Sequence, residues 1–191
     1  MPPRRELADN AIYHIVQRGN NKQVIFKDEN DFRQFLYSLS KCKDKYTFEL
    51  YHYCLMPNHL HLLMRIPDKT DAPRLMQALL QSYRFYYRTR YEYVGYLFQG
   101  RYRSKMIGQD SYLLECARYI ERNPVRSGFV NNPGHYRWSS CHSYLGGRSN
   151  CILTENPLFR GLGHDDKSRR DAFLEYLMTS RPYDELIDIT L

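Results

Sequence analysis

No run of about 18 apolar residues occurs anywhere in the chain, so no segment is long enough to cross a bilayer as a helix. The opening, Met1-Pro2-Pro3-Arg4-Arg5-Glu6-Leu7, lacks the apolar core of a secretory signal. The five cysteines, at 42, 54, 116, 141 and 151, include no Cys-x-x-Cys pair, which points to reduced thiols and not to a disulfide framework. These absences imply a cytoplasmic protein with no membrane partner. Cys141-His142 with Cys151 makes a poor zinc set, better read as loop and core residues. No internal repeat interrupts the alternation of β-rich and helical segments.

What is present is charge and tyrosine, unevenly spread. With 191 residues and 42% apolar content the chain can bury one respectable core and carry a small appendage. The net charge of +7 and a pI near 9.1 favour a polyanionic partner. Residues 74–126 hold ten Lys or Arg against four acids, so this third of the chain carries most of the excess. It also holds nine of the eighteen tyrosines, interleaved as Tyr83-Arg84-Phe85-Tyr86-Tyr87-Arg88-Thr89-Arg90-Tyr91 and Arg101-Tyr102-Arg103. Guanidinium groups neutralise phosphates and aromatic rings stack on exposed bases, a mixture suited to single-stranded or locally unpaired nucleic acid. An amphipathic helix with inward tyrosines would give the same string.

Periodicity predicts a strand over 11–17, broken by turn residues at 18–21, then a helix over 28–45 with Phe32, Phe35, Leu36 and Leu39 on one face. Strands over 48–55 and 59–66 form a hairpin through Pro57-Asn58. Asp71-Ala72-Pro73 opens a second helix, with Leu75, Leu79, Tyr83 and Tyr86 as its stripe, ending near Val94-Gly95. A strand or strand pair over 96–107 precedes a third helix, capped by Asp110 and running from Ser111 to about Arg122, with Pro124 as its stop. The first six elements match an α+β, ferredoxin-like (RRM-type) split βαβ sandwich, with helices on one face of an antiparallel sheet.

Met56-Pro57-Asn58-His59-Leu60-His61-Leu62-Leu63 is the stretch richest in chemistry. On a strand, His59 and His61 share one face while Leu60 and Leu62 point to the core. Two neighbouring imidazoles suggest a metal, although two polar residues on a solvated face would look the same, and a third donor is needed. Tyr119 and Asn123, four residues apart, share a face of the third helix, so a nucleophile and an oxygen ligand could sit together. A core tyrosine beside Leu113, Ala117 and Ile120 is the blander reading. His14 and His52 read as ordinary strand histidines.

Five strings together resemble the single-tyrosine HUH endonucleases, particularly the REP-associated tyrosine transposases and insertion-sequence transposases. They are Arg18-Gly19-Asn20, Met56-Pro57-Asn58-His59-Leu60-His61, Leu97-Phe98-Gln99-Gly100-Arg101-Tyr102, Tyr119-Ile120-Glu121-Arg122-Asn123-Pro124-Val125-Arg126 and Trp138-Ser139-Ser140. The resemblance implies that His59, His61 and Asn123 hold a divalent ion, Mg²⁺ or Mn²⁺, and that Tyr119 attacks a DNA phosphate. Asn123, where insertion-sequence relatives tend to carry Gln, favours the REP-associated branch. The charged pair Glu121-Arg122 departs from the family's pattern, and it implies altered DNA contacts or helix-end electrostatics. Arg18, Asn20, Arg84, Arg88, Arg101, Arg103, Arg122 and Arg126 are expected to contact DNA, with turn-shaping the alternative role for Arg18 and Asn20, and with Gly19 supplying a positive φ.

The implied activity is metal-dependent cleavage and strand transfer on single-stranded or hairpin DNA through a covalent 5′-phosphotyrosine, as in DNA transposition and recombination. The alternative is a domesticated, non-catalytic nucleic-acid-binding module of the same fold. Residues 1–147 are expected to form the transposase domain and 148–191 a C-terminal extension, with a break around 146–150 and a short helix over 171–178. A monomer is expected over a helix-swapped dimer.

Overall fold

A computed structural model describes residues 6–108, 110–147 and 150–179. Strands β1 (Ala11–Arg18), β2 (Glu49–Met56), β3 (His59–Ile66) and β4 (Arg103–Ile107) alternate with helices α1 (Glu29–Cys42) and α2 (Asp71–Tyr91). Helices α3 (Asp110–Arg126), α4 (Cys141–Tyr144) and α5 (Asp166–Met178) follow. The strands pair antiparallel in the order β2-β3-β1-β4. This is the expected α+β split βαβ sandwich, since each helical crossover skips one strand position and leaves β3 and β1 at the centre.

Strand alternation assigns one face of the sheet to each of two cores. Tyr13, Ile15, Leu60, Leu62 and Met64 face α1 and α2, where they meet Phe35, Leu39, Leu75, Leu79 and Tyr83. Asp28 caps α1 and forms a reciprocal capping box with Asp31. Arg90 of α2 reaches back to both of these acids, which ties the end of one helix to the start of the other. The Arg–Tyr string therefore divides by function. Tyr83 and Tyr87 are core residues, Tyr86 and Tyr91 donate to Asp31, and Arg84, Phe85 and Arg88 point outward.

The opposite face carries Met56, Leu63 and Ile107, and α3 covers it with Leu113, Cys116, Ala117, Tyr119 and Ile120. Helices thus pack on both faces, not on one. Two expected boundaries also move. The strand expected over 96–107 shortens to β4, because Leu97, Phe98 and Gln99 pair irregularly with the end of β1. Helix α3 does not stop before Pro124 but continues to Arg126. Proline's φ suits a helix, and the bond lost with its N–H and the crowding of the Ile120 carbonyl by its ring fall close to the helix end. Ser127 then closes on the Asn123 carbonyl at 3.0 Å, and Gly128, at φ 71°, turns the chain away.

Trp138-Ser139-Ser140 adds to the outer edge of β2, with Leu55 N–H donating to the Trp138 carbonyl and Ser140 N–H to that of Tyr53. Beyond it, α5 packs Phe173 and Leu177 against Cys141, Tyr144 and Phe159. All five cysteines are free thiols, four of them buried. Arg148 and Ser149, inside the expected break, lie outside the described residues. Among the described residues no helix is long and apolar enough to cross a membrane.

Candidate nucleic-acid cleavage site

Three sequence-distant loops meet at one end of the sheet. Gly19 N–H donates to the Asn58 carbonyl at 2.8 Å, Asn20 N–H to Leu97 at 2.9 Å, and Gln99 N–H to Arg18 at 2.9 Å. The end of β1, the β2–β3 turn and the approach to β4 are thereby locked together, and Arg18, His59 and Arg101 gather around one cleft. Gly19 is not there for a positive φ. Its φ is −63°, and a Cβ would sit 2.2 Å from the Gln23 carbonyl oxygen, so the position excludes any side chain.

The cleft, of about 360 Å³, is lined by His59, His61, Tyr119 and Asn123 together with Arg18, Arg101, Arg103 and Arg126. Eight of the twelve residues singled out from sequence therefore converge here. His59 and His61 share a face of β3, as their spacing predicts, with ring centroids 5.0 Å apart. Asn58 Oδ1 lies 2.7 Å from His59 Nδ1 and accepts its proton, so that in the neutral ring the lone pair is on Nε2. His61 Nδ1 lies 3.0 Å from His14 Nε2, while His61 Nε2 is buried with no hydrogen-bond partner among the described residues. Burial pushes the His61 imidazole well below its ordinary range and His14 down to about 3, so both rings are neutral.

Tyr119 forms the floor of the cleft and is only 2% exposed. Its ring meets those of His61 and His14 edge-on, with centroids at 5.6 and 5.9 Å, and the Arg126 guanidinium lies 5.1 Å from its centre. One turn on, Asn123 Nδ2 donates to the Tyr119 carbonyl at 3.0 Å, a bond that orients the amide. His14 is the functional neighbour that sequence reasoning discounted. The signal was its alternation with Val16 and Arg18 on β1, whose register places Val16 opposite His61 and Arg18 opposite His59.

Four expected DNA contacts lie elsewhere. Asn20, Arg84 and Arg88 line neighbouring surface grooves. Arg122 is turned away from the cleft and donates to the Leu177 carbonyl of α5, so it is a docking residue for the C-terminal helix. Its neighbour Glu121 is fully buried against His52 and meets no solvent at all, which removes it from any surface role.

Among the described residues no group of three His, Cys, Asp or Glu could hold a metal. The site fits one differently. Two imidazoles, that of His61 held neutral by burial and carrying an orphaned buried nitrogen, line the cleft together with the side-chain amide of Asn123, a mixed N/O donor set without negative charge. Such a set suits an ion that also takes a phosphate oxygen.

The family described as "Transposase IS200 like" matches residues 8–123. A Haemophilus influenzae protein bearing the name of a REP-associated tyrosine transposase is 27% identical over 151 residues, 73% of this chain and 84% of that one. Among solved structures, a REP-associated tyrosine transposase bound to a REP hairpin shares the fold with a TM-score of 0.66 at 17% identity, over 82% of this chain and 92% of that one.

Proposed function

This chain belongs to the IS200-like transposase family, and from that premise we propose that it is a REP-associated type of single-tyrosine HUH nuclease. It cuts and rejoins single-stranded DNA beside a hairpin through Tyr119. The observation that carries this reading is the convergence of Tyr119, His59, His61 and Asn123 in one arginine-lined cleft.

In the proposed reaction the phenolic oxygen of Tyr119 forms a bond to phosphorus and the P–O3′ bond breaks, while the phenol loses a proton and the 3′-oxygen gains one. The product is a 5′-phosphotyrosine and a free 3′-hydroxyl. Because the covalent link keeps the energy of the broken ester, a second 3′ end can reverse the step, and no nucleotide cofactor is required. Arg126 brings positive charge to the ring that must lose its proton. Arg18, Arg101 and Arg103 hold flanking phosphates and fix the strand across the cleft. His59, His61 and Asn123 would hold Mg²⁺ or Mn²⁺, which supplies charge neutralisation at a phosphate oxygen when bound. Helix α5 of the C-terminal extension braces α3 from behind, through Arg122 and through Arg118, whose Nε donates to the Tyr176 carbonyl at 2.9 Å.

The test is incubation of labelled hairpin DNA with single-stranded flanks in Mn²⁺, followed by denaturing electrophoresis. A covalent protein–DNA adduct that Tyr119→Phe abolishes supports the proposal. Cutting without an adduct would indicate attack by water, and tight binding without cutting would identify a non-catalytic module.

A further inference from the structure

The arginine-lined cleft does not end at the catalytic residues. Arg101 also lines a second groove of about 770 Å³, between α2 and the segment before β4. Gln81 and Arg84 line both that groove and a third, of about 610 Å³, further along α2. The three hollows form one path, with a guanidinium at each junction.

Two properties distinguish this path from ordinary surface. First, its arginines are uncommitted: Arg84, Arg88 and Arg101 make no ion pair among the described residues. Arg33, Arg65, Arg90, Arg137, Arg160 and Arg169 all hold carboxylates. Second, the path carries apolar groups that gain nothing from water. Phe85 is 74% exposed, Tyr96 76% and Val94 87%. Alternating free guanidinium groups and exposed rings match a polymer of alternating phosphates and flat bases. Among the described residues the single carboxylate lining it, Glu92, stands at its far end.

We infer that this surface is a track for the unpaired DNA flank, running from the Tyr119 cleft over Arg101, Arg84 and Arg88, with Tyr96 and Phe85 stacking bases on the way. The inference rests on the function proposed above and adds where the strand lies once it leaves the cleft. A second copy of the chain is the poorer occupant, because a two-fold interface here would bring the unpaired arginines of both copies together.

The test uses the full chain and two fluorescent hairpin oligonucleotides, one blunt and one with a flank of about ten thymidines, within the span of such sites. The flank should tighten binding to the wild type. The double variant Phe85→Ala, Tyr96→Ala should lose about tenfold in affinity for the flanked hairpin and keep its affinity for the blunt one. Arg84→Gln with Arg88→Gln should flatten the log–log salt dependence for the flanked hairpin by about 1.4. A flank that adds nothing, or equal weakening on both hairpins, overturns the track. So does a variant that converts a dimer to a monomer in sedimentation without touching flank affinity, which would make the patch a contact between copies. If the wild type binds neither hairpin, the DNA reading itself has failed, an outcome separable from all of these.

Discussion

His14 Nε2 and His61 Nδ1 face each other at 3.0 Å, with their rings nearly parallel and 5.2 Å apart. With both imidazoles neutral, one proton lies between these two nitrogens. If His61 Nδ1 donates, its Nε2 carries the lone pair that the proposed metal site requires; if His14 donates, His61 Nε2 bears a hydrogen and cannot ligate. His14 is thus the residue that can select the ligating tautomer, much as outer-shell partners do elsewhere. His14→Gln should weaken Mn²⁺ binding in the presence of hairpin DNA by about 10–100-fold, with binding of the same DNA in EDTA little changed. Titration calorimetry measures both; unaltered Mn²⁺ affinity would remove His14 from the site.

The same pair makes stability depend on pH. His14 titrates at about 3 in the folded chain against 6.5 ordinarily, and His61 is shifted in the same direction, both chiefly by burial. Below pH 6.5 the unfolded chain therefore takes up protons that the folded chain refuses. Stability is fully present above that pH and is lost as pH falls towards 3, by up to about 1.4 kcal/mol per pH unit for each such histidine. Urea midpoints of the metal-free protein at pH 7.5 and 5.5 should show the drop, and His14→Gln should reduce it. A midpoint independent of pH across that window would contradict the buried neutral pair.

Much of this arrangement was legible in the residues. The two-residue period of His59 and His61 fixed their shared face, and the four-residue step from Tyr119 to Asn123 fixed theirs, because both are local consequences of backbone geometry. Partners chosen by long-range register were not legible. His14 meets His61 only because β1 lies beside β3, a pairing of residues 47 positions apart. Glu121 reads from sequence as a change in DNA contacts or helix-end electrostatics because nothing near it in sequence announces His52. The arginines of α2 divided similarly: Arg90 finds acids on another helix, while Arg84 and Arg88 find none among the described residues.

Gly19 offers a test of how the loops hold the histidines. Its N–H anchors Asn58, whose side chain orients His59, and a Cβ at this position would meet the Gln23 carbonyl at 2.2 Å and the Ile25 methyl at 2.9 Å. Gly19→Ala must shift the 19–25 turn and with it Asn58. We expect a stability loss of about 1–3 kcal/mol from this overpacking, together with weaker Mn²⁺ binding at temperatures where the variant is fully folded. Stability close to wild type with normal Mn²⁺ binding would show that the turn can yield without moving the site.

Glu121 sits on α3 between Tyr119 and Asn123, on the side away from the cleft. Its carboxylate accepts from His52 Nδ1 at 2.8 Å, from Cys141 N–H at 3.0 Å and from the Ser140 hydroxyl. Asn156 Nδ2, 3.1 Å from His52 Nε2, donates there and so keeps the histidine proton on Nδ1, towards Glu121. One buried acid thus pins α3 to β2, to the segment after Trp138 and, through His52, to the chain before α5. Replacing it with alanine leaves the His52 Nδ1–H without its acceptor and leaves the Cys141 N–H and the Ser140 hydroxyl with only their longer bonds to Ser139 Oγ at 3.2 Å and the Tyr53 carbonyl at 3.3 Å, at a cost of about 1–3 kcal/mol, or roughly a 5 °C fall in melting temperature for a chain of this size. Glu121→Gln retains an acceptor oxygen and should cost clearly less. If the acid serves the site by holding α3 in place, Glu121→Gln at low temperature should keep DNA binding while slowing formation of the Tyr119 adduct. Because Arg18, Arg101 and Arg103 stand on β1 and on the approach to and start of β4, phosphate binding does not need α3 to be exact, whereas in-line attack by its phenol does. Equal losses in binding and adduct formation would mean that the acid merely supports the fold.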